Sequence, residues 1–372
     1  MKLVGAVIIL LFMYVIQKVL YKKYWNKSLE MSMSFSRDFI ECGESAELIE
    51  VISNDKLLPL PVFNLKFSVD KRLSFLDTEN SSVTDLYHKN EVFSIMGHQR
   101  ITRRLKFTGL DRGVVGINNA SILVHDLFMT DNYASKISHT DVIYVFPKKL
   151  NTKIFDLSFK GILGEIEAKR SLVEDSMIFR GIREYHTNDS YGSINWKKSA
   201  AAGKLMVNMH GYTTDCRVRL MLNLDNDYMI EANKLLEEAI SLTSSFTRSF
   251  LNERISVSMV TNGTDKNGMR IPDIGEGAEK RHGITIDRAL SEIVSTAGKD
   301  EFLKLLDKEL RNVKKDVMYL IISPYAKPDL VEKLDEINRR GGLVSLIVPY
   351  YDEFPFSLNK DYFSGWEVPL NV

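Results

Sequence analysis

Apolar and polar positions change their period along the chain, and the changes divide it. From Leu3 to Gln17 no charged residue interrupts the apolar run, and extending it to Tyr21 admits only Lys18. Nineteen helical residues at about 1.5 Å each cover about 28 Å, close to the ~30 Å hydrocarbon core, so the run predicts a single transmembrane helix. Lys18 is able to snorkel, and Tyr14, Tyr21, Tyr24 and Trp25 supply interfacial aromatics. A cleaved signal peptide would share the apolar run. Against it, the run is long and KYWNK follows where small residues would mark a cleavage site. Lys18, Lys22, Lys23 and Lys27 follow the span, against Lys2 and the amino group before it. The positive-inside rule therefore predicts a single-pass protein of the cell membrane with its body in the cytoplasm.

From about Ser32 to Pro147 the pattern alternates with period two in short runs such as AELIEVISN, PVFNLKFSV and ITRRLKFTGL. Turn signals separate them, which predicts an antiparallel β-sandwich of immunoglobulin-like type. There is no Cys-Trp-Cys signature, so this expectation stops at architecture. Residues 151–210 read as a bridge without a sustained period. Strand and helix patterns then alternate: RVRLMLNL, a helix over Met229–Leu251, ISVSMVTN, the helices DRALSEIV and DEFLKLLDKELRNV, DVMYLIIS, DLVEKLDEINRRGG and LVSLIVPY. That order predicts a doubly wound, parallel α/β domain. The stretch from Gly263 to Gly283 reads as a long excursion between elements. The predicted division is an anchor over 1–28, a sandwich over 29–150, the bridge over 151–210 and the α/β domain over 211–372.

Composition narrows the chemistry. The 372 residues carry 49 basic and 49 acidic side chains, so a basic nucleic-acid footprint is not expected. Cys42 and Cys216 are far apart, which disfavours a disulfide scaffold or a zinc site. The seven histidines lie outside H-E-x-x-H contexts, G-x-S-x-G is missing, and Gly203-Lys204 lacks the upstream glycine of a phosphate loop. His186 as a base for Ser190 or Ser199 rests on sequence proximity alone. A non-catalytic protein is expected.

Ligands of doubly wound sheets sit beyond the carboxyl ends of the strands. There the chain places Asn223, Asp225 and Asp227, oxygen-bearing side chains at alternate positions that suit a hard cation such as Mg²⁺. Thr261, Asn262 and Asp265 are candidates to complete such a set. A polar loop whose Asp225 or Asp227 caps the next helix accounts for the same residues.

The densest chemistry lies from Phe179 to Val207, FRGIREYHTNDSYGSINWKKSAAAGKLMV. Arg183, Glu184 and Asp189 suit an ion-pair network that pins a loop, and Asp189-Ser190 suits an Asx-type turn. Tyr185 and Trp196 each combine a large apolar surface with a polar handle. A rigid clasp between domains and a partner-binding surface are both compatible with this composition.

The segment resembles the signature of the domain-of-unknown-function 58 family, roughly F-x-G-I-R-E-Y-x-x-G-D-x-x-R-x-I-N-W-K-x-S-A-R-x-G-x-L-M-V. The match runs through Phe179, Gly181, Arg183, Glu184, Tyr185, Asp189, Asn195, Trp196, Lys197, Ser199, Gly203 and Leu205-Met206-Val207. RRLKFTGLDRGVVGINNASILVHDLF and VIYVFPKKL are weaker echoes of the same family. Asn188 stands where the pattern has glycine, and Gly192 and Ala201 where it has basic residues, which weakens any anion contact made there by relatives. The family commonly has two membrane spans, whereas one is visible in this sequence. The resemblance implies a bacterial membrane protein with a von Willebrand factor type A-like domain, for which NLDND is a degraded version of the D-x-S-x-S metal site. It also implies an adaptor or assembly role beside a MoxR-type AAA+ ATPase. The alternative is a divalent-metal-dependent ligand-binding module using Asn223, Asp225 and Asp227.

Overall fold

The computed structural model describes residues 2–77, 81–137, 141–170, 174–187, 189–212, 217–225, 232–296, 300–351 and 360–368. The chain forms two compact units, Met1–Lys148 and Lys149–Val372, except that Leu290–Glu292 group with the first.

The first unit opens with helix α1 (Lys2–Tyr24), long and apolar enough to cross a membrane. Its amino-terminal side chains are exposed, whereas its last turns pack on the domain that follows. Tyr21 is buried and donates to the Pro59 carbonyl at 2.7 Å, and Trp25 stacks on Tyr133.

Eleven strands follow: β1 (Leu29–Phe35), β2 (Phe39–Glu41), β3 (Ser45–Asn54), β4 (Leu60–Asp70), β5 (Leu73–Phe75) and β6 (Ser81–Val83), then β7 (Leu86–Ile95), β8 (Gln99–Gly109), β9 (Gly113–His125), β10 (Asn132–Lys136) and β11 (Val142–Phe146). One sheet has the order β1-β3-β8-β5, the other β2-β11-β9-β4-β7-β6 with β10 paired to β9. Alternation does the work here: β3 turns Ala46, Leu48, Glu50, Ile52 and Asn54 inward and its intervening residues outward. The two inner faces share one core that includes Leu48, Ile52, Phe63, Phe107 and Val115, so the unit is a β-sandwich. Phe75 of one sheet stacks on Tyr87 of the other at 4.7 Å. Gly109 is required by this closeness, because a Cβ there would lie 2.9 Å from Val145 Cγ1.

The second unit begins with α2 (Lys153–Arg170), which the bridge reading missed. Its buried stripe of Phe155, Ile162 and Ile166 is helical in spacing, but Gly161 and Gly164 dilute the pattern. The rest of the bridge also has regular structure. β12 (Glu174–Glu184) pairs antiparallel with β13 (Met206–Tyr212), and the short helix α3 (Trp196–Ala202) lies between them. The absence of a sustained period reflects three short elements in succession.

Then come β14 (Arg217–Leu222), α4 (Ala232–Asn252), β15 (Ser256–Thr261), β16 (Gly263–Thr264), β17 (Ile274–Gly277), α5 (Lys280–Glu292) and β18 (Ser295–Thr296). The unit closes with α6 (Glu301–Leu310), β19 (Val317–Ile322), α7 (Pro328–Arg339), β20 (Leu343–Tyr350) and β21 (Phe363–Glu367). Three details correct the sequence pattern. The excursion after Gly263 contains edge strand β17, α5 starts well before Asp287, and β21 is an additional strand.

The main sheet has the order β17-β15-β14-β19-β20-β21, parallel throughout except for antiparallel β17. β19 is buried along its whole length, as continuous apolar character requires when both faces are covered. Helices α6 and α7 cover one face through Phe302, Leu306, Leu330 and Leu334. On α4, Phe246 and Phe250 meet Phe155 and Phe159 of α2. The order of connections reverses between β14 and β19, and this reversal positions the first candidate site.

Candidate functional site

At the switch point the carboxyl ends of β14, β15 and β19 bring together Asn223, Asp225, Asn262, Ser323 and Tyr325, all buried. Their hydrogen bonds close on one another. Asn223 Nδ2 donates to Ser323 Oγ at 3.0 Å, and Asn223 Oδ1 accepts from the Asp225 amide at 2.9 Å. Asn262 Nδ2 donates to Asp225 Oδ1 at 2.6 Å, while Asn262 Oδ1 accepts from the Leu224 amide at 2.8 Å. Tyr325 Oη donates to Asp225 Oδ2 at 3.3 Å. Burial raises the Asp225 carboxyl above its ordinary value, opposed by the bonds from Tyr325 and Asn262. The same burial pushes the Tyr325 phenol up to about 12.

This donor set is a poor fit to a cation. Asn223 Oδ1 and both Asp225 oxygens, the atoms a metal would need, already accept from N–H or O–H donors. Among the described residues no group of three or more His, Cys, Asp or Glu side chains is placed to hold a metal. Asp227 lies outside the described residues. Thr261 Oγ1 accepts from the Gly263 amide, and Asp265 folds into its own turn through Asn267 and Met269. Asp265 is thus spent on its own turn. Sequence reasoning named Asn262 but missed Ser323 and Tyr325. The available signal was their position just past the third central strand.

The second site is the β12–β13 hairpin. Arg183 forks onto Asp189 at 2.5 and 2.6 Å, and the His186 amide donates to Asp189 Oδ2 at 2.7 Å. These bonds, the Arg183 fork first, pull the Asp189 carboxyl down to about 2. Glu184, at the end of β12, pairs with Lys204 in the turn that precedes β13.

Asn195 explains much of the I-N-W-K-x-S pattern. Its Oδ1 caps α3 by accepting from the Lys198 amide at 3.0 Å, and its Nδ2 donates to Asn208 Oδ1 at 2.8 Å. Buried Ser199 donates to the Asn195 carbonyl and accepts from the Met206 amide, both at 2.8 Å. Gly203 ends α3 with φ +66°, a left-handed cap that glycine adopts without steric cost. Polar residues therefore stitch the short helix onto β13, while only Ile194, Ser199 and Val207 of the segment are buried among its described side chains.

The aromatic residues are used differently. Trp196 is 67% exposed and Tyr191 75% exposed, whereas Tyr185 is half-buried with its ring 6.0 Å from that of Tyr191. Lys197 is exposed beside Trp196. Of the aromatic residues that suit either a clasp or a partner-binding surface, Trp196 and Tyr191 thus lie at the surface. Ser190 Oγ accepts from the Gly192 amide, and both Ser199 bonds serve structure, so neither is set against His186 as a nucleophile.

No family model and no curated protein matches this sequence. Similar solved structures include a non-cellulosomal cohesin of Archaeoglobus fulgidus, 14% identical over 31% of this chain and 91% of that one, with a TM-score of 0.23. A type II cohesin from the cellulosome of Acetivibrio cellulolyticus is 11% identical over 31% of this chain and 95% of its own, with a TM-score of 0.25. The CARDB domain of a Pyrococcus furiosus protein in complex with di-metal ions is 14% identical, over 32% and 93%, with a TM-score of 0.22. At these scores the likeness carries no argument, and the sandwich stands on its two sheets and their shared core.

Proposed function

We propose that this chain is a non-catalytic, membrane-tethered interaction protein that engages a cytoplasmic partner through the exposed face of its β12–β13 hairpin. The carrying observation is the combination of a hydrogen-bonded scaffold with an exposed Trp196 and Tyr191. A large aromatic held on a rigid frame loses little entropy on binding, and Trp, Tyr and Arg dominate interface hot spots. The packing of Tyr21 and Trp25 on the sandwich favours a retained anchor over a removed leader, since cleavage would strip the domain of both contacts. Lys22 and Lys23 in the last turn of α1 favour a cytoplasmic body.

The main sheet, with its antiparallel edge strand β17 and an asparagine-aspartate cluster at the switch point, supports a von Willebrand factor type A-like reading of the second unit. With the signature from Phe179 to Val207, this favours membership of the domain-of-unknown-function 58 family and a MoxR-type AAA+ ATPase as partner. The test is affinity purification of the full-length protein from cross-linked membranes. Wild type should retain an AAA+ ATPase, and Trp196→Ala should lose it by tenfold or more, about 1.4 kcal/mol or above. Equal recovery with both forms would remove the hairpin from the reading, and no ATPase with wild type would remove the partner.

A further inference from the structure

One end of the sandwich carries a cluster of exposed apolar side chains. Paired strand ends place Leu29, Asn54, Leu60, Ile95 and His125 together. The loops leaving that end present Leu57 at 83% exposure, Met96 at 63%, and the consecutive Leu127, Phe128 and Met129 at 50% or more. α1 emerges from the same end. Gln17 Nε2 donates to Asp126 Oδ2 at 2.9 Å, Lys18 pairs with Asp131 at 3.1 Å, and the Phe128 ring lies 6.1 Å from that of Tyr14.

Length decides what covers this end. Of the apolar run that Lys2 and Lys22 bound, Val4–Met13 stands clear of the side chains that engage the sandwich, and ten residues rise about 15 Å. The hydrocarbon core is ~30 Å thick and needs about twenty helical residues, which from Leu3 reach Lys22. Tyr14 then lies eight residues, about 12 Å, inside the boundary, and Phe128 lies beside it.

The tip is a turn closed largely on Asp126. Its Met129 amide donates to the Asp126 carbonyl at 3.0 Å, and the Thr130 and Asp131 amides donate to Asp126 Oδ1 at 2.6 and 3.3 Å. The Asp126 amide in turn donates to the Asp131 carbonyl. Four of the six amides from Asp126 to Asp131 are satisfied within the loop, which lowers its cost of leaving water. Beyond it, exposed Lys22, Lys23 and Lys27 are placed for anionic headgroups.

We propose that this end of the sandwich is set into an anionic lipid surface, with Leu127–Met129 below the headgroups beside α1 and with Leu57 and Met96 at headgroup level. The inference rests on reading α1 as a retained anchor, and its test separates the two. Full-length protein in a Cys42→Ser/Cys216→Ser background would carry one nitrobenzoxadiazole-labelled cysteine at Leu10, Phe128 or Val83. Val83 is exposed near the other end, about 27 Å along β7 from Ile95. In vesicles of phosphatidylcholine and phosphatidylglycerol, labels at Leu10 and Phe128 should lose most of their emission to acyl-chain doxyl lipid and resist aqueous iodide. The Val83 label should do the reverse. Leu127→Cys is a second probe of the tip should Phe128→Cys fold poorly. Lipid quenching at Leu10 with iodide quenching at the tip overturns the insertion alone. A tip shielded from both quenchers is covered by protein, which also overturns it. Absence of lipid quenching at Leu10 overturns the anchor and the insertion together.

Discussion

Replacing Glu50 by methionine should stabilise the sandwich at pH 8 far more than at pH 5. Glu50 is fully buried in the inward row of β3 between Leu48 and Ile52, and neither carboxylate oxygen accepts a hydrogen bond. Arg103 is its cross-strand partner, and Lys89 and Glu91 also occupy the interior, with Lys89 and Arg103 already paired to Asp77 and Glu91. Three carboxylates thus share two cations, and Glu50 is the one left over. Burial pushes its carboxyl up to about 7, against the opposing pull of Arg103 and Lys89. A folded-state value above the unfolded ~4.3 means the native state keeps this proton longer. The cost of ionisation is absent at low pH, grows as pH rises from about 4, and is complete above about 7. Its full size is about 3.5 kcal/mol, of which about 1 kcal/mol is present at pH 5, leaving a difference of about 2.5 kcal/mol.

Methionine fills similar volume without a charge, and removing Glu50 leaves two acids against two bases. Hydrogen exchange of the β3 and β8 amides, corrected for intrinsic rates, reports this unit without requiring the whole chain to unfold in one step. Relative to wild type, the variant should gain roughly 70-fold more protection at pH 8 than at pH 5, that factor being about 2.5 kcal/mol. An equal gain at the two pH values, or a loss of protection at pH 8, would refute the reasoning.

Other changes test the two candidate sites. Asn262→Ala removes the Asp225 donor and the Leu224 acceptor within a buried network, and should destabilise the α/β unit by about 2–4 kcal/mol in a thermal melt. Gly203→Ala forces a side chain into left-handed backbone and should cost about 1 kcal/mol, read as faster exchange of amides in α3 and β13. Trp196→Ala should leave the melting temperature unchanged, since its ring is largely solvated, while weakening partner recovery. Because the Asp189 carboxyl is depressed to about 2, its contribution to the hairpin is present above the unfolded value near 4 and is lost as pH falls through about 2. Arg183→Ala should return the Asp189 pKa toward 4, measured by NMR titration.

The sequence by itself determined the elements that one local rule governs. An uncharged run long enough for a bilayer gave α1, period-two alternation gave the sandwich strands, and apolar runs joined by helical stripes gave the parallel sheet. It also marked residues 179–207 as chemically unusual, because their polar types are not explained by either period. What it did not carry was direction. Trp196 and Ile194 stand two residues apart, and only folding α3 onto β13 turns one outward and the other into the small core. Asn223, Asn262, Ser323 and Tyr325 meet because parallel pairing aligns three strand ends from distant parts of the chain. Their bonding to one another, which weighs against a cation, is a property of that meeting. The placement of Leu127–Met129 beside Tyr14 is likewise tertiary. The apolar tip and the apolar helix are each legible alone, but only the Gln17–Asp126 and Lys18–Asp131 contacts fix them side by side.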